Sequence, residues 1–500
     1  MFFMEEIIRY ITEDFIKNLI NLQWEFYQSP ADLAEFILNT RRATDELGRR
    51  FVQTMVQEIN DQIRTMPERK RKWHVEHKGD GKTLTTSLGD IIFFKTLYKS
   101  KAEKDEEGTP LSCYLIDKVL GIDPNQTMTE DVMANVYKEA VQTSYRKAGE
   151  AASPEGITKG AVKDLLHAIK FPPNFRIPMV KKVVDYLYID ADEDHYHLQF
   201  QNKKGDLERN ENGYKCNGAI NKMIYVFEGI EPEAPKSKRN RLINPHYFCR
   251  GEEQANKDLW KEVFDYIDAT YDLSKVKKIY VNSDGGRWIK TGYRGLADVM
   301  FVLDEFHLAK YICKLTKHLK DSEFDAAKEL YDCIRYESKE EFQDIVERLK
   351  WCNATEKDLK RINEAAAYIG SNWTAAKLRL RKKEGVVGCS AEGHVYHLLS
   401  SRMSTLAMGW SRHGGSQMAH LREYYYNGGD MLELAKYQKE PLPMAAGAEE
   451  VVLSASQMLQ SEHTSRSRTV IEYGKYAETM RASISEQTSK KLAFYLHGKI

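Results

Sequence analysis

Apolar residues recur at helical spacing through Ile7, Ile8, Ile11, Phe15, Ile16, Leu19 and Ile20, and again from Leu33 through Phe36, Ile37 and Leu47 to Met55 and Ile59. A residue every three or four positions lays one apolar stripe along a helix, so residues 1–66 read as helical. Ser29-Pro30 separates the two runs, with Ser29 placed to cap and Pro30 at the first helical position. From residue 73 to 99 the period shortens. β-Branched and aromatic residues around Gly79-Asp80-Gly81 and Gly89-Asp90 predict hairpin strands.

Helical patterning returns over residues 129–169. A short helix from Ser144 to Ala152, a turn at Pro154-Glu155-Gly156 and a second helix from Thr158 have the layout of a helix-turn-helix. Beyond Pro172-Pro173 the pattern is mixed, with strands expected at residues 186–189, 195–200, 223–229 and 246–249 and a helix over 252–271. The run Ile279-Tyr280-Val281 leads to Asp284 and a turn through Gly285-Gly286; the run 299–303 ends on Asp304 and passes into a helix opened by Glu305. Residues 308–369 are almost purely helical and highly charged, and the tail from Met444 reads as helix and then loosely packed surface. The pattern predicts an α+β multidomain chain. A helical region over 1–72, a candidate for oligomerisation, precedes a hairpin and linker region over 73–128. A helix-turn-helix-like region over 129–171 leads into a mixed-sheet core over 172–307. A helical insertion over 308–370, the rest of the core over 371–443 and a tail over 444–500 complete it.

Composition narrows the class. Apolar residues make up 42% of the 500 and charged residues 30%, which suits a folded chain with a real core. Lys plus Arg equals Asp plus Glu at 74 each, so local basic clusters, rather than net charge, would have to carry any binding to nucleic acid. The seven cysteines include no C-x-x-C pair, which argues against a zinc ribbon or a secreted disulfide framework. No run approaches the roughly 20 apolar residues of a membrane span, and a cytoplasmic protein is expected.

The candidate chemistry is acidic. Asp284 follows an apolar strand directly, and Gly-Gly after it would let the backbone approach a phosphate. Asp192 lies in YLYIDADEDHYHLQF, where Asp190, Asp192 and Asp194 share one face if the strand continues, so parity cannot choose among them. Glu392 lies in CSAEGHVYHLLSSRM beside His394 and His397. Carboxylates from separate elements can bridge two Mg²⁺ (or Mn²⁺) ions for phosphoryl transfer. Read singly, each acid is a cap or turn residue. Asp304 with His307 forms a second local cluster, read as a helix cap or as support for the acids. Gly81-Lys82-Thr83 is not a phosphate loop, because Glu76 stands where the motif needs a glycine. For DNA contact the sequence offers Lys159 and Lys163 on the second helix of the helix-turn-helix, the run Lys377, Arg379, Arg381, Lys382 and Lys383, and Arg412 beside Trp410 and His413.

Several of these stretches occur together and in order: LGDIIFFKTLYK, SYRKAGE, YLYIDADEDHYHLQF, IYVNSDGGRWIK, FVLDEFHLAKYI, CSAEGHVYHLLSSRMSTLAMGWS and NGGDM. In this the chain resembles the ISLre-two family of insertion-sequence transposases over nearly its whole length. The resemblance implies a DDE-type enzyme with an RNase H-like catalytic domain and a helical insertion before the last acid. It implies Asp192, Asp284 and Glu392 as the metal-binding triad, and it makes the Asp304–His307 stretch a support motif. The expected activity is Mg²⁺-dependent nicking of element ends and transfer of 3′ hydroxyls into target DNA. The expected partners are double-stranded terminal repeats and target DNA, without a membrane, and a homo-oligomer. The alternatives are a DNA-binding or decayed transposase whose acids serve structure only, and a metal-dependent nuclease lacking strand transfer.

Overall fold

The computed structural model describes residues 7–104, 108–200, 208–209, 215–293, 299–352, 354–382, 384–406 and 408–439; the expectations for Lys383 and for the tail from Met444 lie outside them. The described chain divides into two compact units, one holding residues up to Val132 with Ser153–Glu155 and Lys439, the other Met133–Ala152 and Gly156–Gln438.

In the first unit, helices α1 (Ile16–Gln28) and α2 (Leu33–Thr65) form where the apolar spacing predicts them. The break differs in detail. Asp32, not Ser29, caps α2, accepting a hydrogen bond from the Glu35 amide at 3.1 Å. A long hairpin follows, β1 (Trp73–Thr86) and β2 (Gly89–Lys104), with β3 (Pro110–Tyr114) on the far side of β2. Gly79-Asp80-Gly81 is no turn: it lies within β1, where the register slips between Lys78 and Asp80. Ile63 of α2 joins Trp73, Leu84, Ile91, Phe93 and Tyr98 of the hairpin in one core.

The second unit is a mixed α/β assembly. The helix-turn-helix-like pair is α3 (Tyr145–Ala152) and α4 (Lys159–His167). Its turn is tight because Gly149 has no side chain: a Cβ there would lie 2.1 Å from the Ile157 carbonyl oxygen. Next come β4 (Tyr186–His197), β5 (Gly218–Phe227), β6 (His246–Gly251), α5 (Asn256–Thr270), β7 (Lys278–Ser283) and β8 (Val299–Leu303). The sheet order is β6-β5-β4-β7-β8; β5 runs antiparallel to both β6 and β4, and β7 runs parallel to both β4 and β8.

Two expected strands, 186–189 and 195–200, prove to be one twelve-residue strand, β4. The three aspartates do not interrupt it because alternation puts Asp190, Asp192 and Asp194 on one face. The other face carries Leu187, Ile189 and Ala191, which pack with Ile224, Val226 and Val281 against Leu259, Trp260 and Val263 of α5.

After β8 come the insertion helices, α6 (Glu305–Thr316), α7 (Glu323–Tyr336), α8 (Lys339–Trp351) and α9 (Glu356–Ser371), and then α10 (Trp373–Arg381). They share a core that includes Leu308, Ile312, Leu330, Ile334, Phe342, Ile362 and Ile369. The short α11 (Ala391–Val395) and the longer α12 (Arg412–Tyr426) return to the sheet.

Candidate active site

Strand register builds the site. In the parallel pair β7/β4, Asn282 stands opposite Asp190. Two residues on, just past the end of β7, stands Asp284. In the pair β7/β8, Ser283 stands opposite Leu303, so Asp304 is the next residue along; its amide donates to the Ser283 carbonyl at 2.9 Å. Asp284 and Asp304 thus follow directly on the ends of β7 and β8, on the side of the sheet where β4 carries Asp192.

Each acid is held differently. Asp192 is half-buried, and one of its oxygens accepts from the Glu193 amide at 2.9 Å. Burial pushes its carboxyl up to about 6; the negative charge of Asp284 adds to the rise, while the Glu193 amide and His307 oppose it. Asp284 accepts from the Gly286 amide at 2.8 Å, and its carbonyl takes a hydrogen bond from the Tyr368 hydroxyl of α9. Gly285 has φ +83, and a Cβ there would lie 2.8 Å from the Asn372 carboxamide oxygen. Glycine is needed at 285 on both counts.

Asp304 caps α6, accepting from the Phe306 and His307 amides at 3.4 and 3.3 Å and pairing with His307 Nδ1 at 2.8 Å. Burial works against its charge, yet the His307 hydrogen bond, the His307 charge and the two amides together hold the carboxyl below its usual range. His307 is correspondingly raised, by Asp304 first, against burial, and then by Asp284 and Asp192. The acids thus favour the protonated imidazole beside them.

Asp190 and Asp194, the two rivals of Asp192, are occupied elsewhere. Asp190 is fully buried and takes hydrogen bonds from Tyr225 and Asn282, both at 2.7 Å, and from the Ser390 amide at 3.1 Å. Asp194 takes the hydroxyls of Ser400 and Ser404 at 2.6 and 3.1 Å. Of the three, Asp192 is the one whose carboxyl bears on Asp284.

Glu392 is exposed on α11. Asp190 anchors the residue before that helix, which brings α11 onto β4, but the Glu392 carboxylate is not gathered with Asp192 and Asp284. His394 is engaged by tyrosines: its Nδ1 meets the Tyr247 hydroxyl at 2.9 Å, its ring packs beside Tyr225, and burial drives its pKa down to about 4.

The donor chemistry at Asp192 and Asp284 suits Mg²⁺, which binds hard oxygens and asks for one or two carboxylates with water completing the shell. The repulsion and burial that lift Asp192 are what a divalent cation would relieve. Among the described residues no three His, Cys, Asp or Glu side chains are gathered into a metal-binding group. The arrangement therefore fits an ion at two carboxylates, and the expected third ligand stands apart.

The basic run on α10 is a correction to the expected DNA surface. Arg379 is 3% exposed and donates to the Leu303 carbonyl and to Asn282 Oδ1, both at 2.8 Å, and to the Val387 carbonyl. It pins α10 to the carboxyl ends of β7 and β8. Lys377 and Arg381 donate to the Glu337 and Arg335 carbonyls at the end of α7, at 2.6 and 2.9 Å, where cations complement the helix dipole. Lys382 is exposed at φ 44, and Arg412 pairs with Glu252. Lys159 and Lys163 are exposed on α4, Lys163 beside Asp164 at 2.8 Å.

Tyr368, Asn372 and Lys290 are site neighbours that the sequence did not single out, and Arg379, expected on a DNA surface, proves to be another. Lys290 lies near Asp284, and burial lowers its pKa. The signal for Arg379 was its place in Leu378-Arg379-Leu380, where an apolar helix face would carry it inward.

Among the described residues no helix is long and apolar enough to cross a membrane. A UPF0236 protein of Caldanaerobacter subterraneus subsp. tengcongensis, named for several loci of that genome, is 35% identical over 430 residues, covering 86% of this chain and 85% of its own. A UPF0236 protein from the vanSb 3′ region of Streptococcus gallolyticus is 23% identical over 458 residues, covering 85% and 91%. A solved structure, the Drosophila P element transposase strand transfer complex, aligns with 65% of this chain and 83% of its own at 10% identity and a TM-score of 0.22, a score at which two chains need not share a fold. The model of an uncharacterised protein family, UPF0236, matches residues 29–440, and the chain belongs to that family.

Proposed function

We propose that this chain is a DDE-type DNA transposase of an insertion sequence, with the sheet of the second unit as an RNase H-like catalytic domain. The observation that carries the reading is the proximity of Asp192 on β4 and Asp284 just past the end of the parallel strand β7, beside a histidine already committed to a third acid. Such a placement follows the general rule that α/β sheets do their chemistry at the carboxyl ends of parallel strands. A relative named for several loci of one genome is also what a mobile element leaves behind.

In this reading Asp192 and Asp284 would hold Mg²⁺ (or Mn²⁺), and Glu392 of α11 would be the third ligand of a two-ion site. The ions would lower the pKa of the attacking hydroxyl and neutralise charge on the leaving oxygen. The chain's own part is positional. Gly285 and Gly286 leave room for a phosphate beside Asp284, and Tyr368 and the Gly286 amide fix the Asp284 loop. The Asp304–His307 hydrogen bond fixes the imidazole near the acids and favours its protonated form, which would offset part of their negative charge. The DNA partners are the element ends and the target, and the protein works as a homo-oligomer in the cytoplasm. Ile16, Ile20, Trp24 and Tyr27 give α1 an exposed apolar stripe suited to a second copy.

A second reading is a DNA-binding protein whose acids serve structure. It draws on one observation, the separation of Glu392 from the pair. The deciding experiment is cleavage and joining of labelled element-end DNA with Mg²⁺, comparing wild type with Asp284→Ala. Metal-dependent nicking and joined products that vanish in the variant support the transposase; nicking without joining points to a nuclease. Binding without cleavage by either protein leaves the structural reading.

A further inference from the structure

A groove of about 1140 Å³ opens between α3, α4, the loop of residues 408–411 and the start of α12. Its walls carry Arg146 and Lys147 from the start of α3 and Lys159 and Lys163 from α4, all exposed; Glu150 is the acid in its lining. Burial and the neighbouring His413 lower the pKa of His167, also in the wall, so the positive charge comes from the lysines and arginines.

The floor holds Arg402, which is 3% exposed. Its Nε donates to the Ala140 carbonyl at 3.0 Å, one terminal nitrogen lies 3.5 Å from the Met408 sulfur, and the guanidinium sits 4.9 Å from the centre of the Trp410 ring. Its charged neighbour is another cation, Arg422. Buried guanidinium groups are ordinarily matched by a carboxylate, because an uncompensated buried charge is costly. None of Arg402's contacts supplies one. Burial brings its pKa down to about 10, which still leaves it charged at neutral pH. An anion seated in the groove would supply the missing counter-charge.

The groove is tied to the sheet. Trp410 donates its amide to the His197 carbonyl, and Gln199 donates its own to the Trp410 carbonyl, both at 2.9 Å; the Gln199 side chain reaches the Gly409 carbonyl at 2.8 Å. His197 ends β4, five residues beyond Asp192, so the groove begins roughly 17 Å along the strand from that acid. Cations spread over two helices suit a run of phosphates better than a single small anion.

We propose that this groove is a phosphate-backbone site for duplex DNA, with Arg402 as its buried anchor and Arg146, Lys147, Lys159 and Lys163 as its rim. The proposal rests on the DNA-transposing reading for its choice of polyanion, and binding without divalent cation tests it apart from catalysis.

The probe is a fluorescein-labelled 30-base-pair duplex of arbitrary sequence, titrated with the full chain in EDTA over a series of salt concentrations. The groove variant is Arg146→Ala/Lys147→Ala/Lys159→Ala. The control variant, Lys328→Ala/Lys357→Ala/Lys360→Ala, removes the same charge from exposed positions on α7 and α9. Each phosphate contact contributes about 0.9 to the slope of log K against log salt, so the groove variant should lose roughly 2.7 of slope and bind on the order of tenfold or more weakly. The control should bind as wild type does. Arg402→Met should weaken binding too; if that variant does not fold, the surface triple variant decides alone. Equal slopes for wild type and the groove variant, or no duplex binding by wild type, would overturn the site. Cleavage of element ends by a groove variant that binds normally would sink the groove and leave the transposase standing. Groove-dependent binding by a wild type that never cleaves would do the reverse.

Discussion

Asp284 follows directly on the end of β7, two residues past the Asn282–Asp190 pair, and its charge bears on Asp192 of the neighbouring parallel strand β4. The arrangement has a cost in the absence of a cation, visible in the Asp192 carboxyl held up at about 6 by burial and by Asp284.

That cost fixes a pH dependence. The folded pKa of Asp192 lies above an ordinary carboxyl's, so between about pH 4 and 6 the folded state binds more protons than the unfolded one. Its contribution to stability is best below pH 4 and falls as pH rises to 6. Asp192→Asn should remove this decline. Mg²⁺ should raise the Tm of the wild type at pH 7.5 more than at pH 5, and raise that of Asp192→Asn little. Thermal unfolding with and without Mg²⁺ measures both, and an equal Mg²⁺ shift in the two proteins would take Asp192 out of the site.

Asp304 and His307 carry shifts of opposite sign. Asp304 is depressed, so its stabilising share is present above pH 4 and lost as pH falls through its folded pKa; His307 is raised, so its share is present below about pH 6.5 and lost as pH rises past its folded value. Asp304→Ala should lose about 1 kcal/mol from the cap, with more from the broken pair. Histidine NMR titration should find His307 titrating above 6.5 in the wild type and moving down in Asp304→Asn. An unmoved His307 would refute the pairing.

Gly285→Ala should destabilise the chain by roughly 1–2 kcal/mol, since alanine at positive φ is strained and its methyl would meet the Asn372 carboxamide. Asn372→Ala in the same chain relieves the collision but not the backbone strain, so it should restore part of the loss. Urea denaturation of both proteins checks the order. No loss in the single variant would show that the loop does not need glycine.

Arg379→Met should cost on the order of 3 kcal/mol or more, because three acceptors around the guanidinium, Leu303 O, Val387 O and Asn282 Oδ1, are left without it. DNA affinity per folded molecule should not change. A variant of normal stability that binds DNA weakly would mean that Arg379 is a surface contact after all.

Local pattern alone placed α1, α2, the helix-turn-helix-like pair, β7 and β8 close to where they lie, because helical and strand periods are written in near neighbours. It also gave the acids Asp284 and Asp304 at strand ends, since an apolar run followed by a carboxylate is a local fact. It could not choose among Asp190, Asp192 and Asp194, which share a face and differ only in what lies across from them. The sheet decides that: Tyr225 and Asn282 absorb Asp190, Ser400 and Ser404 absorb Asp194, and Asp192 is left beside Asp284. Nor could sequence name the acceptors that Arg379 meets on turning inward, or tell that Lys377 and Arg381 cap a helix about forty residues earlier. Periodicity fixes which residues share a face, but the partner that satisfies a charge is set by contacts between distant segments, and only the folded chain brings those together.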